Sequence, residues 1–179
     1  MNYQNRATIT TPALVVFLID VSASTGIEYG ERRRIDAIQD VLDRKIAAML
    51  YRCVVGAKIR NRFQVAAYIY SEQVEDLLGG VKTIEQVSNL DFSDLTPRFT
   101  SDALPAFLAA EELLKKLLPG MKDSPAPLVC HITDGLLTGS SVIDAVKRIQ
   151  SLSVPDGHVL VEHILVGHSL GNKANQEEY

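Results

Sequence analysis

The sequence predicts an α/β fold, a Rossmann-like, doubly wound and mainly parallel sheet with helices on both faces. Two continuous apolar runs, "ALVVFLID" from Ala13 and "PLVCHITD" from Pro127, have the length and composition of strands covered on both sides. Other segments repeat apolar residues at three- and four-residue steps, as amphipathic helices do. Strands that alternate with helices pair in parallel through right-handed crossovers, which gives this fold class.

Length and composition fit one folded domain. The 179 residues contain 46% apolar and 22% charged side chains, as in globular proteins with a packed core. We expect one domain over residues 1–179, with its core at about 13–167 and a polar tail at 168–179. The net charge of −4 leaves no basic footprint for nucleic acid, and the arginines at 32–34 are interpreted as a solvated helix end.

The first strand and the first helix follow from periodicity. Ala13–Asp20 is predicted to be a central strand, and Pro12 marks its start. From Arg33 to about Cys53 an apolar stripe predicts a helix of about five turns that packs on the sheet. The stripe consists of Ile35, Ile38, Leu42, Ile46, Met49 and Cys53.

The middle of the chain is predicted to contain a strand pair and a long loop. Phe63–Ser71 is rich in β-branched and aromatic residues, as strands are. Gln73–Leu78 is predicted to turn back as an antiparallel edge strand. The many turn residues of Gly79–Phe99 predict a functional loop, with at most one helical turn around Thr83–Val87.

The second half of the chain returns to alternating helices and strands. Helix spacing over Ala103–Leu118 ends at a Pro-Gly pair, which is a helix terminator. Pro127–Asp134 is predicted to be a second buried strand, and Ser140–Leu152 a helix with one apolar face. His158–Val166 is predicted to be the last strand before the polar tail.

Cysteine usage and hydropathy favour a cytoplasmic protein. Cys53 and Cys130 lie in apolar patterns without metal-ligand spacing, so we expect buried free thiols. The apolar run Ala13–Ile19 is too short to cross a bilayer, and we expect neither a secretion signal nor a membrane partner. His131 and His163 fall within strand patterns and are interpreted as hydrogen-bonded histidines of the sheet.

Oxygen-bearing side chains follow both buried strands. "FLIDVSAST" ends the first strand with Asp20, Ser22 and Ser24, and the second strand ends with Asp134. In open parallel sheets, ligands bind beyond the carboxyl ends of the strands, so these residues are expected on one rim. Carboxylates and hydroxyls are oxygen ligands, which suit a hard cation such as magnesium.

This arrangement resembles the von Willebrand factor A domain and its metal-ion-dependent adhesion site. The parts that carry the resemblance are "DVSAS" after a strand, a threonine-containing loop before a helix, and "ITDG" after a later strand. In order and spacing it covers the chain from about Ala13 to Gly167. That family usually has one more strand and helix after the position of His158–Val166, so we expect a shortened sheet edge here.

The resemblance implies a set of metal ligands. Ser22, Ser24 and a loop threonine are the implied direct ligands, and Asp20 and Asp134 act mainly through water. The implied ion is Mg²⁺, with Mn²⁺ or Ca²⁺ as alternatives. One coordination position would then accept a carboxylate from a partner protein.

The third part of the site departs from the family pattern, because "TPRFTSDAL" stands where Gly-Gly-Thr is usual. Thr100 is the predicted ligand because it ends the loop directly before the helix, and Thr96 and Ser101 are alternatives. Arg98 and Phe99 replace the usual small residues, and a guanidinium there can substitute for the charge of the ion.

The resemblance implies a non-enzymatic module that binds an Asp or Glu of a partner protein, with no small-molecule substrate. It is closest in character to intracellular bacterial members, which are regulators associated with kinases, phosphatases or AAA+ ATPases and include tellurium-resistance-type stress proteins. One alternative is a magnesium-dependent phosphatase with Asp20 as nucleophile, although Ser22 stands where such enzymes need a second acid. The other alternative is a metal-free interaction domain with a degenerate site.

Overall fold

The computed structural model describes residues 3–135 and 140–167, which fold around one central sheet. Its strands are β1 (Ala13–Asp20), β2 (Phe63–Tyr70), β3 (Val74–Asp76), β4 (Lys82–Thr83), β5 (Leu128–Thr133) and β6 (Leu160–Leu165). Their order is β6-β5-β1-β2-β3, and β4 pairs with the beginning of β2. The pairs β6-β5, β5-β1 and β1-β2 are parallel, whereas β3 and β4 run antiparallel to β2. The predicted doubly wound, mainly parallel sheet is therefore confirmed.

Helices connect the strands. They are α1 (Arg34–Cys53), α2 (Ile84–Val87), α3 (Leu104–Leu117) and α4 (Ser140–Ser151). Short 3₁₀ turns cover Ala23–Gly26 and Leu118–Gly120. Two-residue hairpins pair Glu28–Tyr29 with Arg32–Arg33, Val54–Val55 with Lys58–Ile59, and Ser153–Val154 with Gly157–His158. In the part of the chain that the structure describes, no helix combines the length and apolarity needed to cross a membrane.

The core consists of two layers, one on each face of the sheet. Successive residues of a strand point to opposite faces, so Phe17 and Ile19 pack with α1 while Val16 and Leu18 pack with α3 and α4. Because both faces of β1 are covered by helices, every residue from Leu14 to Asp20 is buried. This explains why β1 is apolar without alternation.

The element bounds agree with the prediction to within one or two residues, with a few differences. The antiparallel edge strand Val74–Asp76 is shorter than predicted. The last strand begins at Leu160 instead of His158, because Gly157–His158 pairs with Ser153–Val154 in a hairpin. Within the described residues β6 pairs on one side only, with β5. The predicted tail at 168–179 lies outside the described residues.

The topology brings the two strand-ending acids together. The strands β1 and β5 are adjacent and parallel, with Ile19 paired to Ile132. Asp20 is the last residue of β1, and Asp134 directly follows Thr133 at the end of β5. Both acids therefore lie at the carboxyl edge of the sheet, where ligands of such folds bind.

Candidate metal site

The segment after β1 forms a tight turn around the carboxylate of Asp20. The backbone N–H of Ser22 donates to Asp20 Oδ1 at 2.9 Å, as in turns formed by aspartate. The Thr25 hydroxyl donates to the carbonyl oxygen of Ser22 at 2.7 Å and fixes the following 3₁₀ turn. The turn therefore uses the Asp20 carboxylate and the Thr25 hydroxyl, and it leaves the hydroxyls of Ser22 and Ser24 for other contacts.

The two serine hydroxyls face each other and reach the second acid. Ser22 Oγ and Ser24 Oγ lie 3.1 Å apart, and Ser24 Oγ donates to Asp134 Oδ1 at 2.9 Å. A hydroxyl whose proton points to a carboxylate keeps oxygen lone pairs for another ligand. The proton of Ser24 points to Asp134, and both serine oxygens have lone pairs that can bind a cation.

Asp20 is also hydrogen-bonded to Thr133, which is not among the residues predicted from the sequence to form the site. Thr133 Oγ1 donates to Asp20 Oδ2 at 2.6 Å and accepts from the backbone N–H of Gly135 at 3.0 Å. Asp20 is 2% exposed and Asp134 is 3% exposed, so both need such partners. The sequence signal for a role of Thr133 in the site is its position, because it directly precedes Asp134 at the same strand end.

The structure places an arginine against the second acid. Arg34 Nη1 donates to Asp134 Oδ2 at 2.9 Å, and its side chain is 22% exposed. The stem of Arg34 packs on Gly167, where a Cβ atom would lie 3.1 Å from Arg34 Cγ. Arg34 Nε is buried and has no hydrogen-bond partner among the described residues. The guanidinium therefore lies inside the site, and its hydrogen-bonding groups are only partly paired with groups of the described residues.

The interpretation of residues 32–34 as a solvated helix end is correct for two of the three arginines. Arg32 pairs with Asp40, and Arg33 pairs with Asp36 at the protein surface. Arg34, the first residue of α1, turns inward instead.

The loop before α3 places its three candidate ligands differently. Thr100 Oγ1 donates to Glu72 at 3.3 Å, and Thr100 lines a surface depression together with Ser22 and Ser24. Ser101 lines the cavity of about 230 Å³ that also contains Asp20 and Asp134. Thr96 lines a separate cavity of about 290 Å³. The choice of Thr100 as third ligand stays a prediction.

This loop is attached to the serine turn by main-chain hydrogen bonds. The backbone N–H of Ala23 donates to the carbonyl of Phe99 at 2.7 Å, and that of Arg98 donates to the carbonyl of Val21 at 2.6 Å. The Arg98 side chain forms an ion pair with Glu75, away from both strand-ending acids. The guanidinium that meets an acid of the site is therefore that of Arg34, whereas the sequence pointed to Arg98.

A series of hydrogen bonds between Tyr70, His131 and His163 lies beside the site. The Tyr70 hydroxyl and His131 Nε2 share a hydrogen bond, and His131 Nδ1 lies 2.8 Å from Nδ1 of the exposed His163. Burial raises the pKa of Tyr70, as does the nearby charge of Asp20. His131 is 1% exposed, and burial, with a smaller contribution from His163, lowers its pKa to about 3. The expected hydrogen-bonded role of these histidines is consistent with these contacts.

We expect His131 to make the protein less stable in mild acid. The folded state keeps this imidazole neutral down to a pKa of about 3, whereas the unfolded chain binds a proton near 6.5. The contribution of the neutral His131 to the free energy of unfolding is thus fully present above pH 6.5 and is lost as the pH falls toward 3. Between pH 7 and pH 5 the free energy of unfolding should fall by about 2 kcal/mol from this group.

Urea unfolding at both pH values tests this expectation. His131→Phe should remove most of the pH-dependent loss, while His158→Gln, a change at an exposed histidine, should leave it intact. An unchanged loss in His131→Phe would contradict the assignment.

The donor set fits a hard cation. In residues 3–135 and 140–167, no three or more His, Cys, Asp or Glu side chains come together as a metal cluster. Softer metals such as zinc are usually bound by cysteine sulfur and histidine nitrogen, whereas Ser22, Ser24 and Asp134 offer oxygen. The hydroxyls of Ser22 and Ser24 with Asp134 behind them match oxygen coordination of magnesium, in which waters fill the remaining positions.

Comparison with known proteins gives likeness in structure alone. No model of a known protein family matches the chain, and no curated protein matches it in sequence. An aerotolerance-related membrane protein from Bacteroides fragilis, crystallised with multiple mutations to serines, aligns with a TM-score of 0.59 and 12% identity. This alignment covers 90% of this chain and 74% of that chain.

Two further solved structures extend the likeness. The conserved hypothetical protein BatB from Bacteroides thetaiotaomicron aligns with a TM-score of 0.58 and 14% identity, over 84% of this chain and 65% of that chain. The three N-terminal domains of the type V pili tip protein Mfa5 from Porphyromonas gingivalis align with a TM-score of 0.52 and 18% identity. The aligned part is 70% of this chain and 20% of that chain. The chain thus spans only part of these proteins, and the likeness is one of fold, which agrees with the predicted Rossmann-like, mainly parallel α/β class.

Proposed function

We propose that this chain is a protein-interaction module that binds an acidic residue of a partner protein through a divalent cation. The observation that carries the proposal is the hydrogen bond from Ser24 to Asp134, with the Ser22 hydroxyl 3.1 Å from that of Ser24. It leaves two neutral oxygens as direct ligands and keeps the carboxylates behind them. A cation held by neutral ligands keeps more of its positive charge for an external carboxylate.

The residues have distinct roles in this proposal. Ser22 and Ser24 bind the cation directly, and the loop supplies Thr100 or its alternative Ser101. Asp20 and Asp134 act mainly through water, as the resemblance implies, and each of their oxygens also accepts one hydrogen bond from the chain. Bound Mg²⁺, or Mn²⁺ or Ca²⁺ in its place, supplies the positive charge that a partner carboxylate requires.

The charge of the site supports a need for the cation. Asp20 and Asp134 carry two negative charges, and Arg34 balances one of them. An approaching carboxylate is repelled by this net negative charge unless a cation reverses it.

An exposed aromatic side chain beside the serine hydroxyls supports a protein as the partner. Phe99 is 75% exposed, and its carbonyl is held by the serine turn at Ala23. Exposed aromatic side chains beside a polar anchor are typical of interface centres.

Asp20 is poorly placed to act as a phosphatase nucleophile. It is 2% exposed, and its two oxygens accept from Ser22 and Thr133. A nucleophilic carboxylate must reach its substrate, whereas Asp20 is buried, and Ser22 stands where such phosphatases need a second acid. A non-enzymatic module is therefore the function that we propose.

The biological setting belongs to the same proposal. The two cysteines of the chain, Cys53 and Cys130, are buried free thiols, which suits a reducing cytoplasm. The resemblance to intracellular bacterial regulators supports a role in a stress-response system, or in one associated with a kinase, phosphatase or ATPase. A tellurium-resistance-type function is one form of that role.

A partner-binding experiment tests the function. Proteins retained from lysate by the magnesium-loaded chain and released by EDTA are identified, and the purified partner is titrated against wild type and Asp134→Ala. Chelation and Asp134→Ala should each weaken binding by more than about tenfold, because a partner carboxylate left unpaired in an interface is strongly destabilising.

Arg98→Ala serves as the matched control, since its guanidinium pairs with Glu75 and should not contribute. If EDTA leaves the wild-type affinity intact, the metal-dependent mechanism is wrong. If Arg34→Ala then loses the binding that EDTA does not remove, Arg34 binds the partner carboxylate directly, without a metal ion.

A further inference from the structure

The end of the molecule opposite the candidate metal site gathers the arginines that lack an acidic partner. Six of the ten arginines form ion pairs with carboxylates. The other four, which have no ion pair among the described residues, are Arg6, Arg52, Arg60 and Arg62. A chain with a net charge of −4 thus has a concentrated positive region where α1 ends and β1 and β2 begin.

Contacts show that these arginines share one surface. Arg6, Arg60 and Arg62 line the same depression of about 490 Å³. Arg62 Nη1 donates to the carbonyl of Arg52, and the backbone N–H of Arg60 donates to the carbonyl of Cys53. Glu85, an acid near this region, accepts instead from Asn61. The arginines are left available for an external anion.

Exposed apolar side chains flank the arginines. The hairpin at the end of α1 has Val54 and Val55 at 48% and 46% exposure, and Lys58 pairs with Val55 across it. Tyr51, in the last turn of α1, is 83% exposed, and Ile9 in the arginine-lined depression is 54% exposed. The sequence pattern alone did not reveal this surface, because its residues come from three separate segments.

We propose that this basic and apolar end binds peripherally to the surface of an anionic lipid bilayer. Arginine binds phosphate bidentately, so the arginine-lined depression suits lipid headgroups. The hairpin with the exposed Val54 and Val55 suits the boundary between headgroups and acyl chains. Such binding needs no membrane-spanning segment, and it differs from the expectation of no membrane partner. The candidate metal site, at the opposite edge of the sheet, would then face away from the bilayer.

The charge of the surface and its exposed apolar hairpin favour a bilayer over an acidic protein. The hairpin has Val54 and Val55 exposed to solvent in the same stretch of chain as the exposed Arg52, Lys58 and Arg60. The centres of protein interfaces are depleted of charged residues. An anionic bilayer offers many negative charges at once and takes up exposed apolar side chains at its surface.

Vesicle sedimentation of the full chain tests the proposal. The protein should sediment with vesicles enriched in phosphatidylglycerol, remain in solution with phosphatidylcholine vesicles, and be released by salt. Arg52→Glu with Arg60→Glu should weaken binding by more than about tenfold. Val54→Ser with Val55→Ser should also weaken binding at a low salt concentration that retains the wild type, because it removes the apolar contribution without changing the charge.

Lys116→Glu with Lys147→Glu is the matched control, since it changes the net charge equally at exposed sites on α3 and α4. Its binding should stay close to that of wild type. Equal loss in this control would show a general charge effect and overturn the proposal. No binding to anionic vesicles, or tighter binding to soluble polyaspartate than to vesicles, would also overturn it. None of these outcomes depends on the metal site, so the two proposals can fail separately.

Discussion

Replacing Ser22 and Ser24 together with alanine is expected to abolish binding of Mg²⁺ and Mn²⁺. The two hydroxyls are the neutral oxygens at the site, and the carboxylates beside them already accept hydrogen bonds from the chain. Isothermal titration calorimetry of the wild type and the double variant measures the loss. Because Asp134 loses one buried hydrogen bond, we also expect the metal-free variant to be about 1–3 kcal/mol less stable.

A second hydroxyl pair in the chain provides a matched control. Thr8 Oγ1 and Thr10 Oγ1 lie 3.1 Å apart and are two residues apart, as are those of Ser22 and Ser24. Thr8→Ala with Thr10→Ala should leave metal binding unchanged, because within residues 3–135 and 140–167 this pair is hydrogen-bonded to Thr11 and to no acid. Equal metal affinity in the serine variant and the wild type would rule out the proposed ligands.

Replacing Arg34 with methionine is expected to raise the affinity for Mg²⁺ by more than tenfold. The guanidinium contacts Asp134 and carries a positive charge into the site. At an effective dielectric constant of about 20, two like charges a few ångströms apart repel by about 3 kcal/mol, and 1.4 kcal/mol corresponds to tenfold. The metal-free variant should be less stable, since Asp134 loses its partner.

The sign of the change separates the roles that Arg34 can play. A merely structural role predicts lower stability with unchanged or weaker metal binding, whereas competition with the cation predicts lower stability with tighter binding. Arg34→Lys keeps the charge and should retain most of the wild-type behaviour, and Arg98→Met should have no effect on metal affinity because Arg98 pairs with Glu75. Weaker Mg²⁺ binding in Arg34→Met would contradict the competition.

The features of the site that follow from regular structure could be predicted from the sequence. Apolar runs of strand length located β1 and β5, and parallel pairing then required Asp20 and Asp134 to meet at one edge. The 3₁₀ turn and the hairpins depend on two- to four-residue contacts that leave no periodic pattern. The loop before α3 has no periodicity either, so the places of Thr100 and Ser101 could not be inferred.

The direction of Arg34 could not be read from charge, because three adjacent arginines are chemically identical. A weak signal existed in the helix phase. Arg34 lies four residues before the buried Ile38, which places it at the edge of the apolar stripe of α1. The apolar stripe predicts a helix start at Arg33, one residue before the observed start at Arg34, and the run of three charges predicts solvated side chains.

The four oxygens of Asp20 and Asp134 each accept a hydrogen bond from the chain, which has a consequence for how a cation binds. The donors are the Ser22 amide, the Thr133 and Ser24 hydroxyls and the Arg34 guanidinium. The conformational entropy of these carboxylates is therefore already lost on folding and does not have to be lost again when an ion arrives. The difference in binding between two ions should then depend mainly on how readily each gives up its own water, which Ca²⁺ does more easily than Mg²⁺.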